Sequence, residues 1–251
     1  MKKLSVAISC YNFEKYIEEC IISILDQKTN FDFEIVIRDD FSNDKSAEII
    51  KNIAEKYSDI RNIRCILDKN NLGPNRSIQN LLENCYGEYI ALIDGDDLLI
   101  DDLKLQKQVD FLEENPSFVM HSTSFKYLHS DGRIEPEEED LIVGGLKEVV
   151  RIEDLLESNI ISFGRMFRNL KSVFRNLINQ KYYLEIPYDD WGLNFEILKY
   201  GVAKCDSFLS GYYRITGNGV ITGKNESEIH KQNEMCRNLL RDEYNKFKIN
   251  Y

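Results

Sequence analysis

An α/β fold, built on a mixed but mostly parallel sheet flanked by helices, is what this sequence predicts, and three observations carry that expectation. Short apolar runs alternate with segments whose apolar residues recur at helical spacing through the first half of the chain. The apolar run at residues 89–93 then breaks into Asp94-Gly95-Asp96-Asp97, and open α/β sheets place their ligands at such carboxyl-terminal strand ends. At 251 residues the chain allows one large domain, or one domain with an appendage.

Residues 4–9 read as a buried strand. Over residues 14–27, Tyr16, Ile17, Cys20, Ile21, Ile24 and Leu25 fall at helical spacing. Residues 33–38 are a second strand, running into Asp39-Asp40-Phe41-Ser42-Asn43-Asp44, where Ser42 and Asp44 read as turn and N-cap groups. A helix over 45–56 turns Ala47, Ile50, Ile53 and Ala54 inward, and residues 63–67 are a third strand. Asn70-Asn71-Leu72-Gly73-Pro74 is a turn, and a helix over 75–85 ends on Gly87 as its C′ residue, before the strand at 89–93. This β-α-β-α-β-α-β order predicts parallel pairing with helices on both faces. A helix over 101–114 is stopped by Asn115-Pro116, and residues 118–128 form another strand. Residues 131–140 are acidic and turn-rich, the mark of a mobile loop. Helices near 152–158 and 191–201, a strand near 203–215 and a charged amphipathic helix over 226–248 complete the chain.

Hydrophobic residues make up 43% of the chain and charged residues 30%, with four prolines, an ordinary soluble composition. A net charge of −11 argues against a nucleic-acid binder, which would carry a basic field. It leaves a nucleotide substrate open, because a bound metal offsets local charge. Cys10, Cys20, Cys65, Cys85, Cys205 and Cys236 are scattered without a CxxC pair. That pattern fits reduced, mostly buried thiols in a cytoplasmic protein rather than a disulfide frame or zinc site. The first apolar run is too short for a secretory leader, and Tyr11-Asn12-Phe13 stands where a small-residue cleavage site would fall. No run is long enough to span a bilayer. His121, His129 and His230 show no triad or zinc spacing, and no GxGxxG or GxxxxGK phosphate loop is present.

Asp94, Asp96 and Asp97 repel one another and resist desolvation unless a cation shares the site, which points to a hard metal carrying phosphate. The alternative is a solvated acidic turn, with Asp97 or Asp101 capping the next helix. From the residues alone, Asp189-Asp190 read first as the N-cap and first-turn acids of the helix holding Trp191, Leu193, Phe195 and Ile197. Residues 160–183, with Arg165, Arg168, Lys171, Arg175 and Lys181, are the most basic stretch. They read as an amphipathic helix packed on the sheet with a solvated cationic face, the second reading being contact with an anionic membrane surface. The C-terminal helix, with Met235, Leu239, Leu240, Tyr244 and Phe247 at helical spacing, packs on the domain or makes a homodimer contact.

Several stretches, taken in order, carry a resemblance. They are Leu4-Ser5-Val6-Ala7-Ile8-Ser9-Cys10-Tyr11-Asn12; Glu34-Ile35-Val36-Ile37-Arg38-Asp39-Asp40-Phe41-Ser42-Asn43-Asp44; Asn71-Leu72-Gly73; Gly87-Glu88-Tyr89 through Asp94-Gly95-Asp96-Asp97; Tyr188-Asp189-Asp190-Trp191; and Tyr212-Tyr213-Arg214. Together they resemble the family 2 glycosyltransferases, inverting enzymes of GT-A fold (a Rossmann-like nucleotide-diphospho-sugar transferase) that take activated sugars from nucleotides. The resemblance covers almost the whole chain, is strongest through residue 115 and is loose between 117 and 185.

The resemblance implies nucleotide contacts from Ser9 and Tyr11, with the base lying on the aromatic face of Tyr11; the other reading packs Tyr11 under its loop and has Asn12 cap the next helix. Asp40 accepts the imide N–H of uracil, while Asp39 is equally a turn former, and Phe41 stands where relatives often have glycine. Arg76 stands where many relatives turn a basic residue toward the nucleotide. Asp94 is assigned to the ribose or metal shell and Asp96 to direct coordination of Mn²⁺ or Mg²⁺, with Gly95 leaving room for phosphate. By register, Asp190 is the base that deprotonates the acceptor, with Asp189 as runner-up and Trp191 as an acceptor-sugar platform or a core residue. Arg214 contacts diphosphate or pairs with an acid, and Thr216 replaces the histidine of the family's Tyr-Arg-x-His segment.

The expectation is thus a cytoplasmic, metal-assisted, inverting glycosyltransferase, bound to the inner membrane face where a lipid-linked acceptor requires it. It moves a sugar from a nucleotide sugar, a UDP-sugar first, to a glycan or lipid-linked acceptor in bacterial surface polysaccharide synthesis. Residues 1–115 form the nucleotide-sugar half, 116–225 the acceptor half and 226–251 a terminal helix. The alternatives are a non-catalytic nucleotide- or partner-binding module and a sugar-nucleotidyltransferase. The latter would want a lysine-bearing phosphate loop, which residues 9–15 lack.

Overall fold

Near-continuous apolar runs make strands that can be buried on both faces, and four of them form the parallel centre of the sheet. These are β1 (Leu4–Cys10), β2 (Phe33–Asp39), β3 (Asn62–Leu67) and β4 (Tyr89–Asp94), in spatial order β3-β2-β1-β4. The computed structural model describes residues 2–135, 147–161, 163–217 and 224–249; part of the expected acidic loop, 136–140, lies outside them. Helices α1 (Ile17–Leu25), α2 (Ser46–Lys56) and α3 (Pro74–Glu83) connect the four strands. The register sets Ser9 beside Asp94 and Cys10 beside Asp39, so the candidate residues of three strands meet at one sheet end.

The rest of the sheet is mixed. After β5 (Leu98–Leu99), α4 (Lys104–Glu114) leads into β6 (Phe118–His129), with short β7 (Ile134–Glu135) and β8 (Val149–Val150) following. β9 (Met166–Arg168) runs antiparallel between β4 and β6, and β10 (Val202–Ile215) lies parallel to β6. At its far end β10 pairs antiparallel with β5, which brings Tyr212 beside Leu98 and closes the sheet around the Asp94–Asp97 turn. Helices α5 (Lys171–Asn176), α6 (Lys181–Glu185), α7 (Asp189–Leu198) and α8 (Glu226–Ile249) cover one face with α3. The strand period of two divides the core accordingly. Ala7, Val36, Ile90 and Leu92 face that layer, while Val6, Ile8, Ile35 and Ile37 face α1, α2 and α4.

Three expectations change. The helix at 74–83 ends before Asn84, and Gly87 is no C′ residue. A Cβ on Gly87 would stand 2.4 Å from the backbone nitrogen of Ser5, so close approach to β1 demands the glycine. Residues 160–183 form no single amphipathic helix but β9 and two short helices. Two of their arginines turn inward: Arg165 is 5% exposed, and Arg168 donates to the carbonyls of Leu112 (2.6 Å) and Phe118 (3.1 Å). The expected cationic face is therefore not built. Residues 152–156 make only a 3-10 turn. The C-terminal helix packs on the domain, with Cys236 and Leu240 fully buried and Tyr244 Oη donating to Glu153 at 2.6 Å. All six cysteines are free, and no helix among the described residues is long and apolar enough to cross a membrane.

Candidate active site

The turn after β4 is held from both sides. Gly95 N donates to Ser9 O at 2.8 Å and Asp97 N to Asp94 O at 2.9 Å. A Cβ on Gly95 would meet Ser9 O at 2.8 Å and Ile17 Cδ1 at 2.9 Å, so the end of β1 and α1 by themselves require this glycine. Ser9 Oγ donates to Asp94 Oδ1 at 2.6 Å, which makes Ser9 the orienting partner of Asp94. From the other side, Arg214 N donates to Asp97 Oδ1 at 3.1 Å and Arg214 Nε to Asp96 O at 2.8 Å. Asp97 is 5% exposed and bound to β10, so it caps no helix; Asp101 Oδ1 accepts Leu103 N at the start of α4 instead. The Arg214 guanidinium pairs with Glu19 at 2.6 Å and lies over the Tyr16 ring, its acid-paired reading, while Thr216 stays half-buried just beyond β10.

Burial, and then the neighbouring Asp94, push the Asp96 carboxyl up to about 7. Burial pushes Asp97 well above the usual carboxylate range, with Asp96 and Asp94 adding to it. Buried carboxylates that repel one another in this way would be stabilised by a shared cation. Among the described residues no three acid, histidine or cysteine side chains converge as a complete metal cage. That fits Mg²⁺ or Mn²⁺, which use one or two carboxylates and take their other oxygens from phosphate and water. Asp96, half-buried beside Asp94, is the side chain placed to serve.

Three loops at the same sheet end are stitched together. Asn12 (φ 59°) receives no helix N–H; its own N donates to Ser42 Oγ and its Oδ1 accepts Asn43 N, both at 2.8 Å. Asp39 accepts Ser42 N at 3.0 Å and is thereby a turn residue. Asp44 bonds Ser46 N and Glu14 N, tying the same two loops. Asp40, 4% exposed, accepts Leu72 N and Gly73 N at 3.0 Å each and lies 3.6 Å from the Arg38 guanidinium. It holds the third loop in place with lone pairs to spare. The stitched loops present Tyr11, Phe41 and Leu72, each more than 40% exposed, as an apolar rim. Arg76 is exposed at the start of α3 and makes no ion pair with a described residue.

Asp189 and Asp190 open α7, both half-buried. Asp190 Oδ1 accepts Trp191 N at 2.8 Å and Oδ2 accepts Asn159 Nδ2 at 2.6 Å. Burial, then Asp190 and Asp94, push Asp189 up to about 7. Burial also raises Asp190, against the pull of Arg165, Asn159 and the Trp191 N–H. Trp191 is 1% exposed with Nε1 donating to Leu155 O at 2.8 Å; it is core and offers no sugar platform. Asp94 acts on Asp96, Asp97, Asp189 and Asp190 alike, so the two acid groups lie within electrostatic reach of one another, while Trp191 belongs to the core. Sequence reasoning missed Arg165, which lines a small cavity with Asp94 and Asp97, and Asn159, which donates to Asp190. A signal for Arg165 existed, a lone cation inside the apolar run Phe163-Gly164-Arg165-Met166-Phe167; for Asn159 there was none.

Comparison with known proteins bears on this arrangement. Residues 5–177 match the model of glycosyl transferase family 2. An uncharacterized protein of Mycobacterium tuberculosis is 34% identical over 134 residues, 53% of this chain and 38% of that protein. The putative glycosyltransferase EpsE of Bacillus subtilis is 38% identical over 121 residues, 48% of this chain and 42% of EpsE. The match thus spans less than half the length of either relative. S. aureus TarS 1-349 in complex with UDP-GlcNAc has TM-score 0.61 at 20% identity, covering 89% of this chain and 61% of that one. The mannosyltransferase PcManGT of Pyrobaculum calidifontis, in complex with GDP-Man and Mn2+, has TM-score 0.62 at 17% identity, covering 87% and 59%. At these identities the structural likeness speaks to the fold alone.

Proposed function

Because the chain belongs to glycosyl transferase family 2, we propose that it moves a sugar, with inversion, from a nucleotide sugar to a hydroxyl of a glycan or lipid-linked acceptor. What supports this reading is the electrostatic proximity of two acid groups: Asp94 of the Asp94–Asp97 turn acts on both Asp189 and Asp190 at the start of α7. A single displacement needs both groups, with the leaving diphosphate on one face of the sugar and a base on the opposite face.

Each residue then has a task. Asp96 holds Mn²⁺ or Mg²⁺, which supplies Lewis-acid neutralisation of the diphosphate charge when bound. Asp94, oriented by Ser9, lies on the ribose side. The base rests on Tyr11 within the rim that Phe41 and Leu72 complete, and Asp40 offers its spare lone pairs to an imide N–H, which favours a UDP-sugar. Arg76 reaches toward the diphosphate, and Arg214 and Thr216 border it. Asp190 takes the acceptor hydroxyl's proton as its oxygen bonds to the anomeric carbon and the bond to diphosphate breaks. The UDP-GlcNAc and GDP-Man complexes of the structural neighbours support a nucleotide-sugar donor. Extension of a bacterial surface polysaccharide, at the cytoplasmic membrane face, is the setting we infer.

The test is hydrolysis of a panel of nucleotide sugars with and without Mn²⁺, comparing the wild type with Asp96→Ala and Asp190→Asn. The expected result is metal-dependent turnover lost in both variants, with donor binding kept in Asp190→Asn. Turnover that ignores the metal and both substitutions would overturn the mechanism.

A further inference from the structure

The Asp190 carboxylate ends a buried hydrogen-bonded chain that begins at an arginine. Arg165 donates from Nη1 to Asn194 Oδ1 over a long 3.5 Å. Asn194, fully buried on α7, donates from Nδ2 to Ile161 O at 2.6 Å and to Asn159 Oδ1 at 3.3 Å. Asn159 Nδ2 then donates to Asp190 Oδ2 at 2.6 Å. An amide has a donor end and an acceptor end, and the wrong rotamer would present an oxygen to the carboxylate. Here two outside groups set the direction. The Ile161 carbonyl can only accept and the Arg165 guanidinium can only donate, and both demand the same orientation of Asn194. That orientation makes Asn159 Oδ1 an acceptor and leaves Asn159 Nδ2 facing Asp190. Asp190 Oδ2 thus receives a donor, Oδ1 accepts the Trp191 N–H, and the side chain stays half-buried.

We propose that Asn159 is a positioning residue for the base and that Asn194 and Arg165 fix its polarity, so that Asp190 is held both aimed and ionised. The proposal rests on Asp190 being the base. Other groups also face this carboxyl: Asp189 beside it, Asp94 from β4, Arg165 from the start of β9, Tyr183 from α6, Tyr188 before α7, Tyr213 from β10 and Cys236 from α8. Of these Arg165 is the cation: its charge favours the ionised Asp190 directly, and its hydrogen bond fixes the direction of Asn194.

The experiment is the pH profile of Mn²⁺-dependent hydrolysis of the nucleotide sugar turned over fastest, in the full chain, with water as acceptor. In Asn159→Ala the acidic limb of kcat should move up by about one pH unit, the scale of a hydrogen bond to a charged group. Donor KM should change less than about twofold, since the relay touches the base and not the donor. Asn159→Asp, equal in shape but unable to donate at neutral pH, should move the limb at least as far. Arg165→Met should move it the same way and at least as far, since its charge also acts on Asp190 directly, and serves if the Asn159 variants fold poorly. Acidic limbs that coincide with the wild type in folded variants overturn the proposal, even if kcat falls. Full hydrolysis by Asp190→Asn would instead overturn the base assignment. Loss in Asp190→Asn with unmoved limbs in the Asn159 and Arg165 variants would defeat the positioning role alone.

Discussion

Chelating the divalent ion should make this protein less stable as the pH rises from 5 to 8, and Asp96 is the group to blame. Its carboxyl is pushed from an ordinary 3.8 to about 7 by burial and then by Asp94. The folded value lies above the unfolded one, so the folded state holds the proton more tightly. Stability from this group is therefore full below about pH 4, falls as the pH climbs through about 7, and stays low above it. A shift of about three units at 1.36 kcal/mol each sets a ceiling of about 4 kcal/mol. Asp96 is half-buried and shares its field with Asp94 and Asp97, so about 2 kcal/mol is the loss to expect from it. Asp189, also pushed up to about 7, adds a loss of the same sign. His121 works the other way, because burial presses its pKa down to about 4 and its loss comes on acidification.

Comparing Asp96→Asn with the wild type cancels those other groups. Urea denaturation in EDTA at half-unit pH steps gives the curve. The neutral, isosteric amide should raise stability by about 1–2 kcal/mol at pH 8, leave it unchanged near pH 4.5, and flatten the slope between. Added Mn²⁺ should stabilise the wild type at pH 8 more than at pH 5.5, and should leave Asp96→Asn unmoved. A wild-type curve parallel to that of Asp96→Asn across the whole range would refute the reasoning, because it would mean that Asp96 is not charged against its surroundings.

Other outcomes follow from single contacts. Lys104 is fully buried, its Nζ donating to Gln108 at 2.6 Å, and burial presses its pKa down to about 7. The folded value lies below the unfolded one, so Lys104→Met should stabilise by on the order of 1–3 kcal/mol at pH 7 and by less as the pH approaches 10, read by urea denaturation. Gly95→Ala forces a Cβ to 2.8 Å from Ser9 O; about 1–3 kcal/mol of stability and at least tenfold in hydrolysis should be lost together. Asp40→Asn keeps one acceptor for Leu72 and Gly73 and loses the charge beside Arg38. It should cost about 1–3 kcal/mol and weaken UDP binding in calorimetry.

Much of the fold was legible because its signals are local. β1, β2 and β4 are buried almost throughout, β3 is a half-buried edge strand, and the observed bounds of all four lie within a residue or so of the sequence reading. Residues 160–183 misled because basic residues at mixed spacing look like the polar face of a helix. Whether an arginine is solvated or turned inward depends on what lies opposite it. For Arg165 that partner is Asn194, 29 positions away, and for Arg168 it is the carbonyls of Leu112 and Phe118. Trp191 shows the same limit: its carbonyl partner at Leu155 comes from a turn 36 positions upstream.

The Asp94–Asp97 turn shows why chemistry can be read from residue types while roles cannot. Four adjacent positions carry three identical carboxylates, and nothing local separates them. Ser9, 85 positions earlier, gives Asp94 its orientation. Arg214, 117 positions later, bonds the Asp97 side chain through its backbone N–H and ties one of its oxygens to β10. Asp96 is left, half-open, because the same arginine takes only its carbonyl. The metal-binding role proposed for Asp96 therefore depends on where β10 lands. A strand that ended at Tyr213 would leave Asp97 without its donor, turning a buried tie into a second competing carboxylate.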